Sequence, residues 1–91
     1  MPRRAQFDWD EANANHIVRH GVKRDEVEAV IANDPMELDA VIRKGESRRL
    51  CIGKTDAGRV LTVVYTIRNK KVRVVTAYPA NRDQRRLYES Q

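Results

Sequence analysis

A chain of 91 residues with 34% charged and 5% aromatic side chains has room for one domain, spanning 1–91, and one modest core. No apolar run approaches the roughly 18 residues of a membrane span and the start has no signal-like stretch, so a cytoplasmic protein is expected; the lone Cys51 excludes an internal disulfide and gives no metal-ligand spacing, so neither metal nor cofactor is expected. The net charge of +5 is unevenly placed, −4 over residues 1–39 (five Lys/Arg, nine Asp/Glu) and +9 over residues 40–91 (thirteen and four), which points to an acidic partner for the second half, nucleic acid first.

In chain order, "DEANANHIVRHG" reads as a helix capped by Asp8 or Asp10 and stopped at Gly21. His16 falls mid-helix among polar neighbours and reads as surface; His20 reads as a packing or C-capping residue. "KRDEVEAVIAND" is a second helix with Asp25 and Glu26 in its first turn, a stripe of Val27, Val30 and Ile31, and a stop before proline. "MELDAVI", "RRLCIG", "VLTVVYTI" and "KVRVVTAY" read as four strands, with "TDAG" and "RNKK" as turns. Lys54 and Arg59, flanking "TDAG", read as solvated.

A two-residue turn at Asn69-Lys70 would pair Arg68 with Lys71, Thr66 with Arg73, Val64 with Val75 and Thr62 with Ala77. Leu61, Val63, Tyr65 and Ile67 then share a core face with Val72, Val74, Thr76 and Tyr78. The other face gathers Thr62, Thr66, Arg68, Lys71 and Arg73. With Leu50 and Ile52 assigned inward, Arg49 and Cys51 join the basic side. Like charges on one sheet face repel unless an anion arrives, so a phosphate site is expected there, with an open solvated face as the alternative. The last helix starts near Arg82 with a capping box from Asn81 to Gln84. It is expected to rest Leu87 on the sheet and hold Arg82, Arg85 and Arg86 in water. The fold class is α+β: two N-terminal helices on a mostly antiparallel four-stranded sheet, with a short C-terminal helix.

From Phe7 to about Tyr88 the residues resemble the BrnT family of bacterial toxins, small RelE-like ribonucleases paired with an antitoxin. "FDWDEANANHIVRHGV" looks like that family's Phe-x-Trp-Asp…His-Gly-Val opening, and "RRLCIG", "GRVLTVVYT" and "VRVVTA" follow its strand blocks in order. "VVYT…VVTAYP" also resembles a neighbouring group of small domains of unknown function. The family's arginines are kept at Arg48, Arg68 and Arg73 and its terminal tyrosine at Tyr88. Its Ser-Ala-Arg after the last strand is here Thr76-Ala77-Tyr78, and its final-helix glutamate is Gln84. The resemblance implies a RelE-like fold, an RNA substrate and a cognate antitoxin, of ribbon-helix-helix type.

Metal-independent RNA cleavage needs the 2′-hydroxyl deprotonated, the phosphorane charge held and the 5′-oxygen protonated. Arginine suits the second task because it is always cationic and bidentate towards phosphate. Arg73 is expected to hold the scissile phosphate with Arg68 and Arg49 in support, and Tyr88 to stack a base or donate a proton. Lys71, Arg82, Arg85 and Arg86 are expected to bind RNA backbone without sequence preference. A catalytically silent RelE-like module that binds nucleic acid or antitoxin is the alternative, and a DNA-binding accessory a third reading.

Overall fold

A computed structural model describes residues 5–43 and 45–91; Arg3, Arg4 and Lys44, counted in the charge split, lie outside them. Helix α1 spans Glu11–Val18. Asp10 caps it reciprocally: its Oδ1 accepts the Asn13 N–H at 3.0 Å while Asn13 Oδ1 accepts the Asp10 N–H at 2.8 Å. Gly21, at φ +75°, turns the chain into α2, Arg24–Ala32. Such a φ is open to glycine at no steric cost.

Four strands follow, β1 (Met36–Arg43), β2 (Glu46–Lys54), β3 (Val60–Arg68) and β4 (Lys71–Pro79), then α3 (Arg82–Glu89). They pair in chain order as an antiparallel meander. Residues 6–8 extend the sheet beyond β4: Asp8 N–H donates to Val72 O and Val72 N–H to Gln6 O, both at 2.8 Å. That covers an otherwise bare edge.

The core lies between α1, α2 and one sheet face, where Ile17, Val22, Val27, Val30, Cys51, Leu61, Val63, Tyr65, Val72, Val74 and Ala77 are buried together. Arg59 fastens this layer, its Nη1 3.1 Å from Glu26 Oε2 and donating to Gly21 O at 2.9 Å. It is a structural tie rather than a solvated charge.

The Asn69-Lys70 turn is the two-residue type, both residues at positive φ (53° and 63°), which suits the twist of a hairpin. Arg68↔Lys71 and Thr66↔Arg73 pair as expected, but the register then shifts. Tyr65 faces Val74 and Val64 faces Thr76, leaving Val75 as an extra residue in a bulge. Beyond it Thr62 pairs with Tyr78 rather than Ala77. A bulge exchanges the faces that follow it. Ala77 therefore enters the core, and Thr76 and Tyr78 leave it. Ile67 keeps its parity but is 54% exposed.

The assignment of "RRLCIG" is reversed as well. Cys51 pairs with Val63 and is fully buried in the main core, and burial with Glu37 nearby pushes its thiol up to about 12. Ile52 is also fully buried but outside that cluster, on the opposite face, where α3 lies against β2. Both faces of β2 are covered here, so apolar residues follow one another without alternation. Leu87 is 44% exposed, while Gln84 and Tyr88 are the half-buried residues of α3. Gln84 docks the helix by polar contacts: Thr62 Oγ1 donates to its Oε1 at 2.9 Å and its Nε2 donates to Tyr78 Oη at 3.2 Å.

Candidate functional site

The second face of the sheet is covered by α3 at one end and open at the other. Strand alternation from Leu50 and Ile52 carries Arg48, not Arg49, onto this open part. Thr66 and Arg68 arrive from β3 and Arg73 from β4, across the register pair Thr66↔Arg73. These four residues line a cleft of about 350 Å³ together with Glu46, His16 and Asn13.

His16 reaches the cleft because α1 runs along the edge of β4. Asn13 Nδ2 donates to Val74 O at 3.2 Å, and His16 Nε2 is hydrogen-bonded to Thr76 Oγ1 at 3.1 Å. Ile17, next in sequence, turns to the core and is fully buried. The bulge at Val75 is what turns Thr76 towards the histidine. His16 also meets His20 edge-on at 5.1 Å between ring centres, and His20 meets Tyr78 at 6.4 Å. His16 is therefore a half-buried cleft residue, not a surface one.

Arg73 does not project freely into solvent. Its side chain is 20% exposed, with Nη2 2.8 Å from Asp10 Oδ2 and Nη1 3.6 Å from Asp8 Oδ2. The anion that offsets the basic face is supplied by the chain itself, through the segment leading into α1. The Asn13 N–H and then the Arg73 guanidinium hold the Asp10 carboxyl below its ordinary range. Arg48 lies 3.7 Å from Glu46 Oε2, and its Nε is buried without a hydrogen-bond partner. Arg68 is exposed and makes no ion pair among the described residues. The cleft thus holds one arginine tied by two carboxylates and two with donor capacity to spare, beside an imidazole.

Of the residues singled out from the sequence, Arg68 and Arg73 meet in this cleft. Lys71 is exposed and pairs with Arg68 at the hairpin end. Arg49 is exposed opposite Tyr65 and lines a neighbouring cleft instead. Tyr88 is half-buried on α3 and lines neither cleft. Arg82, Arg85 and Arg86 are exposed on α3. Sequence reasoning missed His16 as a site residue. The available signal was the Asn13/His16 spacing, which puts two hydrogen-bonding side chains on the flank beside Ile17.

No curated protein matches the chain. Among protein families, residues 9–84 match the model described as a ribonuclease toxin, BrnT, of a type II toxin–antitoxin system. That stretch runs from the tryptophan ahead of α1 to Gln84 in α3 and takes in every residue lining the arginine cleft. The chain accordingly belongs to the BrnT family of ribonuclease toxins of type II toxin–antitoxin systems.

Proposed function

We propose that the chain cleaves RNA in the cleft between α1 and β2–β4, using its own side chains for the proton transfer and the charge. The observation that carries this reading is the meeting of His16 with Arg48, Arg68 and Arg73 in one cleft. An unprotonated His16 takes the proton from the ribose 2′-hydroxyl, whose oxygen attacks phosphorus. The bond to the 5′-oxygen breaks and that oxygen leaves with a proton from water, giving a 2′,3′-cyclic phosphate and a 5′-hydroxyl. Arg48 and Arg68 hold the non-bridging oxygens as charge builds on them. Arg73, fixed by Asp8 and Asp10, supplies field and shape as a positioning residue. Tyr88, off the cleft walls, is given no proton-transfer role; Lys71, Arg82, Arg85 and Arg86 attract backbone phosphates.

The test is incubation of the purified protein with end-labelled RNA in excess chelator. Products ending in 2′,3′-cyclic phosphate, with protection wherever the 2′-hydroxyl is replaced by hydrogen, are expected. Intact RNA, or cleavage of the deoxy substrate, would refute the mechanism.

Membership of a type II toxin–antitoxin family implies a cognate antitoxin. An antitoxin of ribbon-helix-helix type with acidic side chains against Arg48, Arg68 or α3 would exclude RNA by competition. A second reading is a catalytically silent module that binds nucleic acid or antitoxin. The occupied fork of Arg73 favours it, and so does Tyr78 where the family places arginine. It predicts salt-sensitive RNA binding with no cleavage at any concentration.

A further inference from the structure

The sheet splits at one end, beside the arginine cleft. Arg49↔Tyr65 is the last rung between β2 and β3. Past it β2 stays with β1 through Ser47↔Ile42, while β3 stays with β4 through Ile67↔Val72. The separated strand ends enclose a cleft of about 540 Å³, a volume within the range of small-molecule sites. Thr66 Oγ1 spans its root, donating to Ser47 O at 2.8 Å. Glu46, Thr66 and Arg68 line both this wedge and the arginine cleft, so the two adjoin.

Three side chains give the wedge a chemical character unlike its neighbour. Ile67, 54% exposed, supplies an apolar wall. Arg49 is exposed and makes no ion pair among the described residues, so its guanidinium keeps its bidentate donors. Glu46 stands 3.7 Å from Arg48, too long for a hydrogen bond, which leaves its oxygens able to accept. A carboxylate in a basic groove repels phosphate; its complement is a neutral N–H donor.

We propose that the wedge is a nucleobase subsite selective for guanine, resting on the reading that the adjoining cleft takes RNA. Guanine carries two adjacent acceptors, O6 and N7, which suit the fork of Arg49. On the neighbouring edge it carries two adjacent donors, N1–H and N2–H, which suit the carboxylate of Glu46. Adenine, cytosine and uracil each lack one of these pairs. Arg68, on the shared wall, holds the attached phosphate, and Ile67 packs against the base.

The experiment titrates the protein with the 3′-monophosphates of guanosine, adenosine, cytidine and uridine, and with inorganic phosphate, followed by backbone amide shifts. Guanosine 3′-monophosphate should bind roughly tenfold tighter than the other three, on the scale of one bidentate base contact. Glu46→Gln and Arg49→Ala should each remove that preference, and Glu46→Gln, which takes a negative charge out of the groove, should bind inorganic phosphate at least as tightly as the parent. Equal binding of all four nucleotides, or a preference that survives Glu46→Gln in a folded variant, would overturn the proposal. RNA cut evenly at all four nucleotides would also overturn it and leave the nuclease reading standing. Selective guanosine binding without cleavage would support the subsite and remove the nuclease reading.

Discussion

At the scale of single residues, Asp10 does two things at once: one oxygen caps α1 and the other holds Arg73. Asp10→Ala should lower the denaturant midpoint through the lost cap alone. Asp10→Asn keeps a capping oxygen and should cost less, but Arg73 loses its closest anion. The sign with pH follows from lowered carboxyls. Asp10 sits below its ordinary 3.8; Glu26 sits below its ordinary 4.5, since the Lys23 N–H and Arg59 outweigh the opposing effect of burial. Each contributes stability that is fully present above its ordinary value and is lost as pH falls through the lowered folded value. Melting temperature should therefore decline from about pH 4.5 downwards, with a shallower slope in Asp10→Asn. A slope unchanged by that substitution would separate Asp10 from acid stability.

Elements and their junctions show what alternation conveys and where it misleads. The helices, the strands and the hairpin were legible because capping residues, apolar periodicity and turn residues agree with one another. Along β4 the faces were legible only as far as Val74. "VVT" holds no glycine or proline to mark a bulge, so Val75 gave no warning that Thr76 and Tyr78 would change sides. "LCI" misled for a different reason: α3 covers the face opposite α1 and α2, and a strand buried on both sides loses its period. One parity error in β2 thus exchanged Arg49 for Arg48. Two substitutions test these junctions. Lys70, at φ 63°, occupies a region that glycine enters without strain, so Lys70→Gly should stabilise by about 0.5–1 kcal/mol, a rise of several degrees in Tm. A Cβ on Gly53 would lie 3.0 Å from Val30 Cγ1 and from Pro35 Cβ. Gly53→Ala should then force α2 away from β2 and cost about 1–3 kcal/mol; an unchanged Tm would contradict that close packing.

Over the whole molecule, the acidic first half and basic second half meet where Asp8 and Asp10 bind Arg73. Exposed positive charge remains at Arg68 and Lys71 beside the hairpin and at Arg82, Arg85 and Arg86 on α3. RNA affinity should fall with salt by about 0.7 log unit per log unit for each phosphate contacted. Replacing Arg82, Arg85 and Arg86 by alanine should flatten that slope while leaving the rate at saturating protein nearly unchanged. Arg68 differs from them because it lies in the cleft with His16. Cleavage in the arginine cleft is therefore best measured as the single-turnover rate at saturating protein, parent against Arg68→Ala. The parent should cleave in excess chelator and the variant should be slower by about 10²–10³, with the same Tm because the side chain is exposed. Equal rates for the two proteins would place the chemistry outside the arginine cleft.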